Sequence, residues 1–212
     1  MDEIYNPLHL AICGGVWFTV LFWSRRNIEK GFCDPRISNA HSIGIILMST
    51  TVVLELGIIP ESLALSFTSC YFVVDMVDCI LRKDFMFLFH AVISLALMLG
   101  SSLSPVHYKL HSYHKGMLTE GSTPMLNCWQ KTKKKIHYIF FFALFTIFRI
   151  VWVPIFLSQT WPHVSDGSSY DRAVIYLGYV WYLLQLAWYV KMIGILINYK
   201  EEDEREKNGK TD

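Results

Sequence analysis

The stretch Ile136–Leu157 reads IHYIFFFALFTIFRIVWVPIFL, and Arg149 is the one full charge within it. A helix needs about 20 apolar residues to cross a hydrocarbon core about 30 Å thick, and this run is long enough. Comparable runs recur on both sides of it, at Leu8–Trp23, His41–Ile58, Ser62–Ile80, Phe85–Leu103, Tyr108–Cys128 and Ala173–Asn198. Seven spans take up most of the 212 residues and leave only brief loops marked by Pro, Gly or charge. Composition agrees. Hydrophobic residues make up 53% of the chain and charged residues 17%, against about 25% charged in a soluble domain. Mean hydropathy is +0.33. The expected fold class is all-α, a polytopic membrane protein with seven transmembrane helices. That excludes a soluble enzyme domain, a nucleic-acid binder and a disordered regulator. Nineteen basic residues stand against eighteen acidic ones, so no polyanionic partner is implied.

Met1–Asn6 carries Asp2 and Glu3 instead of a basic region, and no small-residue cleavage site follows. The first span is therefore expected to be retained rather than cleaved as a signal peptide. Basic residues set the orientation. With the N-terminus outside, fourteen fall on the cytoplasmic side, among them Arg25, Lys30, Arg82, the Lys131–Lys135 cluster, Lys200 and Lys210. Only Lys109 and Arg172 fall opposite, while Lys115, Arg149 and Lys191 lie inside spans. The chain is thus expected to be N-out and C-in, with an odd number of spans. Cys13, Cys33, Cys70, Cys79 and Cys128 all fall within spans or on the cytoplasmic side, so no disulfide framework is expected. The tail Lys200–Asp212 alternates charge and reads as a solvated end.

An ionisable side chain inside a bilayer costs about 2.5–3.5 kcal/mol and asks for a partner or a cavity. In the third span Tyr71, Asp75, Asp78 and Arg82 fall in a stripe about 60° wide at about 100° per residue. In the fifth, Tyr113, Gly116, Glu120, Thr123 and Asn127 fall within about 80°. Stripes this narrow should face a bundle interior, because lipid cannot satisfy them. Asp78 and Arg82 are open to two readings, a structural ion pair at the cytoplasmic border or part of a site. Pro124 frees a backbone carbonyl that Thr123 or Asn127 can serve. His90 lies at a depth similar to Asp75 on the neighbouring antiparallel span, where a His–Asp pair is geometrically allowed and would suit general base catalysis. Arg149 has no acid in its own helix and must find Glu120, a carbonyl or a headgroup.

His107, His111 and His114 form H-x₃-H-x₂-H, but a di-iron site needs several such boxes. No metal is expected. There is no Gly-rich phosphate loop, no G-x-S-x-G and no H-E-x-x-H, and no cofactor is expected.

Five segments, in order, resemble the TLC-domain family, the membrane fold of ceramide synthases and their non-synthase relatives. They are Asn39-Ala40-His41, Tyr71-Phe72-Val73-Val74-Asp75, Phe87-Leu88-Phe89-His90, Leu118–Asn127 and Phe148-Arg149. Within Leu118–Asn127 the match is to E-x-S-T-P-x-x-N, a stretch of the non-synthase members. The resemblance implies a six-helix barrel made of spans 2–7 around an apolar tunnel. It divides the chain into residues 1–36 (first helix and basic loop), 37–199 (TLC-like domain) and 200–212 (charged tail). It also implies a lipid bound in the membrane, with a role in lipid homeostasis, sensing or trafficking, and residence in the endoplasmic reticulum. Tyr71, Asp75, His90, Tyr113, Glu120, Thr123, Asn127 and Arg149 would then line the cavity. The alternative is an acyl-CoA-dependent acyltransferase with His90 as base and Asp75 as its orienter. However, ceramide synthases carry two adjacent histidines where this sequence has Phe89-His90. A membrane lipid is the expected partner; nothing in the sequence names a protein partner. A seven-span receptor shares the N-out, C-in layout but would want an outside cysteine for a loop disulfide. A transporter would want paired repeats with broken helices, which this sequence lacks.

Overall fold

The computed structural model describes residues 4–26 and 35–208. Lys30, Cys33 and Lys210 lie outside the described residues. Helix α1 runs Pro7–Arg26, α2 Pro35–Val53, α3 Glu61–Arg82 and α4 Phe85–Leu103. Then come α5 Pro105–Lys109, α6 Ser112–Met117, a 3₁₀ turn Leu118–Ser122 and α7 Thr123–Thr132. Helix α8, Lys135–Phe145, runs through a π turn, Thr146–Val151, into α9, Trp152–Val164. Helix α10 covers Ser169–Asn208. The chain is all-helical and polytopic. Glu61–Arg82, Phe85–Leu103, Lys135–Val164 and Ser169–Tyr199 are each long and apolar enough to cross a membrane, and Pro7–Trp23 is a shorter apolar helix.

Local chemistry explains the breaks. Lys83 closes α3 in the left-handed conformation (φ 59°), and the Asp84 N–H donates to the Cys79 carbonyl at 2.9 Å. This satisfies a carbonyl the helix end would leave open. Asp84 then caps α4, its side chain accepting from the Phe87 N–H, so one acid both ends a turn and starts a helix. Helix α2 starts six residues before the expected His41 and stops at Val53, not at Ile58. The reason is backbone geometry: Glu55 and Gly57 both take positive φ, 54° and 63°. Leu54, Leu56 and Ile58 extend the apolar run without extending the helix.

The fifth span departs most from expectation. Tyr108–Cys128 is not one helix. Ser104 and Pro105 start α5, His111 turns left-handed (φ 49°) between α5 and α6, and the 3₁₀ turn separates α6 from α7. A single wheel of 3.6 residues per turn therefore does not describe Tyr113 to Asn127.

Side by side, α2, α3, α4, α10, the α8–α9 rod and the broken α5–α7 segment close a ring, with α2 meeting both α3 and the α6–α7 stretch. Helix α1 stands outside it against α3, where Trp17 Nε1 donates to the Phe67 carbonyl at 2.9 Å. Outward-facing residues such as Phe85, Leu183 and Val190 are 75%, 63% and 68% exposed, the pattern of a surface whose solvent is lipid.

Candidate functional site

The ring encloses a cavity of about 470 Å³, within the range of small-molecule sites, about 300–1,000 Å³. Every sector of the ring contributes to it. Tyr71, Asp75 and Arg82 come from α3, His90 from α4, Glu120 from the 3₁₀ turn, and Thr123 and Asn127 from α7. Arg149 comes from the π turn, and Trp188 and Lys191 from α10. Seven of the eight residues expected from sequence thus reach one chamber. Tyr113 does not. It lines a separate, smaller space and donates from its hydroxyl to the Ala64 carbonyl at 3.2 Å. The break at His111 and the 3₁₀ turn carry it to another level than a continuous helix would.

Arg149 anchors the inner wall. It is 6% exposed. Its Nε donates to the Thr119 carbonyl and Ser122 Oγ, both at 3.2 Å. One terminal nitrogen donates to Gln185 Oε1 at 3.0 Å, and the other to Thr123 Oγ1 at 3.3 Å. Glu120 Oε1 lies 3.6 Å from the latter nitrogen, and the Phe145 ring sits 5.2 Å beneath the guanidinium. Each guanidinium nitrogen therefore has a protein acceptor. The Thr123 hydroxyl also donates to Glu120 Oε2 at 2.8 Å. The expectation that Arg149 finds Glu120 and a carbonyl is met. The role expected for Thr123 and Asn127, serving the carbonyl freed by Pro124, is not: Thr123 turns to the Glu120 carboxylate, while Asn127 Nδ2 donates to Asn39 Oδ1 at 2.7 Å. The Thr123 backbone N–H takes the Glu120 carbonyl instead.

At the border, Arg82 Nε pairs with Asp78 at 2.6 Å and a terminal nitrogen reaches Asp84 at 3.6 Å. The ion pair of the first reading is thus made, and Arg82 also lines the chamber. Tyr71 is stacked on His41 at 3.6 Å between ring centroids. Asp75 and His90 differ from their neighbours. Among the described residues no hydrogen bond or ion pair reaches either, and none joins them, so the His–Asp pair allowed by sequence is not made. The His90 ring lies against Trp181 and Trp188, with centroids 6.1 and 5.2 Å away. Its Nδ1 is buried without a partner. A group left so in the wall of a cavity is available to a ligand.

Of the H-x₃-H-x₂-H stretch, His107 and His114 go to separate partners, and His111 Nδ1 lies 3.9 Å from the Glu61 oxygen that His114 bonds. His107 Nε2 bonds the Asp171 carbonyl at 3.0 Å, and His114 Nε2 bonds Glu61 at 3.0 Å. No metal-binding group of three such side chains occurs among the described residues. Sequence reading passed over Gln185 and Trp188, and noted Lys191 only as a basic residue inside a span. A lone amide and a lone lysine inside the apolar run Ala173–Asn198 were the available signals, since either is costly in lipid.

These features define a class, an integral membrane protein whose helices ring an internal chamber with a polar wall. The chain belongs to the TLC-domain family, whose model matches residues 57–194. No match was found among curated proteins or solved structures.

Proposed function

We propose that this protein binds a membrane lipid within its ring, with the headgroup at Asp75 and His90, and serves membrane lipid homeostasis, sensing or trafficking. The observation that carries this is the roughly 470 Å³ chamber walled by aromatic rings, in which no hydrogen bond or ion pair among the described residues reaches the Asp75 carboxylate or the His90 imidazole, whose Nδ1 is buried. Burying a polar atom such as His90 Nδ1 unpaired is costly, and a bound headgroup relieves that cost. Arg149 and Glu120, bonded to the protein and to each other, shape the chamber wall. The same reading places the protein in the endoplasmic reticulum, N-terminus in the lumen and C-terminus in the cytoplasm, in keeping with the basic-residue asymmetry.

Native mass spectrometry of the detergent-purified chain tests the assignment. Lipid co-purifies with the wild type, and Asp75→Ala and His90→Ala each lower its occupancy several-fold at unchanged melting temperature. Equal occupancy in all three proteins removes the headgroup assignment. A second reading, acyl transfer from acyl-CoA with His90 as base, is favoured by the unengaged Nδ1 alone. It requires product from a long-chain amine above the His90→Ala background.

A further inference from the structure

The ring holds a second, smaller space of about 70 Å³. Its walls come from the later half of α4, from α5 and α6, from α9 and from the first turns of α10. Phe72 and Glu120 border both spaces. The two therefore share a wall, in which Phe72 is only 3% exposed.

The two chambers differ in what they offer a ligand. Around the small one the polar groups other than the Ser101 hydroxyl are engaged by the protein. Trp181 Nε1 donates to Ser94 Oγ at 3.3 Å, and the Thr160 hydroxyl donates to the Phe156 carbonyl at 2.8 Å. The Thr119 hydroxyl donates to the Gly116 carbonyl at 2.7 Å, and both His107 ring nitrogens are bonded. What remains is hydrocarbon, including Leu97, Met98, Val153, Leu157 and Ile175. The large chamber keeps Asp75 and His90 unengaged. An amphiphile thus has one favourable direction, polar end in the large chamber and chain toward the small one.

We propose that the small space is the terminal pocket for the lipid's chain, entered past Phe72, and that Gly116 and Gly178 set the length of chain admitted. This rests on the lipid-binding reading above. Gly116 lines the pocket, and a Cβ built there meets no atom within 4 Å. A side chain there would begin in open space beside the pocket. Gly178 lines it too, where a Cβ would stand 3.1 Å from Leu157 Cδ2 and 4.0 Å from Leu97 Cδ2. Any larger residue there pushes Leu157 or occupies the pocket itself.

The test uses the full-length chain in detergent and an equimolar ladder of lysophosphatidylcholines whose chains differ by two carbons, with bound species counted by native mass spectrometry. Gly116→Leu lowers the ratio of the longest to the next-longest bound chain about tenfold, the effect of excluding two methylenes from burial. Gly178→Ala shifts the ratio the same way by a smaller factor and stands in should Gly116→Leu fail to fold. Unchanged ratios in variants that still bind the ladder overturn the pocket and leave the lipid-binding reading standing. A wild-type protein that carries no lipid and takes none of the ladder overturns both.

Discussion

Arg149 shows how one residue can be legible in sequence while its full set of partners is not. A guanidinium in an apolar run must be compensated, and sequence pointed to Glu120 or a carbonyl. The structure supplies both, then adds Gln185, Ser122 and Thr123. With its nitrogens so occupied, Arg149 serves as a structural post. Removing one partner of a buried ion pair strands the other, at about 3–5 kcal/mol. Arg149→Ala should therefore lower the melting temperature of the detergent-purified protein sharply. Glu120→Gln, which keeps the hydrogen-bonding shape, should lower it less. Equal, small shifts in both would show that the cluster contributes little to stability. Asp75 and His90 were also visible as intramembrane polar residues. Their lack of a mutual bond was not, because reach across two helices depends on rotation about each axis.

At the level of elements, the rod from Lys135 to Val164 repays attention. Pro154 has no N–H, so the carbonyl of Ile150, four residues earlier, loses its helical donor. In a membrane helix such a carbonyl needs another. The Tyr182 hydroxyl of α10 supplies it at 3.1 Å. The π turn at Thr146–Val151 lies immediately before this point and contains Arg149, consistent with π turns gathering at sites of function. Tyr182→Phe should cost about 1 kcal/mol in thermal unfolding, the usual net worth of a hydrogen bond. In a Pro154→Ala background, where the Ile150 carbonyl regains a backbone donor, the same change should cost close to nothing. Additive losses in this double-mutant cycle would sink the account. Sequence could place Pro154 but not its remedy, which comes from a helix some thirty residues later.

The whole molecule is organised by the polarity of its two ends. Asp84, Lys133 and Lys191 border the large chamber, whereas His107, Ser112 and Thr160 border the small one. If the basic turns are cytoplasmic, the polar chamber faces that side and the chain pocket points toward the lumen. An epitope at the C-terminus should then react with antibody when the plasma membrane alone is permeabilised, while one at the N-terminus should react only after the internal membranes are opened. The opposite pattern would invert the molecule and the direction of lipid entry.

Membrane residence, an all-helical chain, the positions of most helices and the family were determined by local information: run length, apolar content and short motifs that need no distant contact to be recognised. The closure of six segments into a ring, the breaking of 105–132 into four pieces and the division of its interior at Phe72 and Glu120 were decided only by tertiary structure. Periodicity assumes one uniform helix, and it reports which side chains share a face. It says nothing of a left-handed residue at His111 or of which neighbour a face meets. The engagement of Arg149 and the freedom of Asp75 and His90 arise between helices, where relative rotation and depth set every distance.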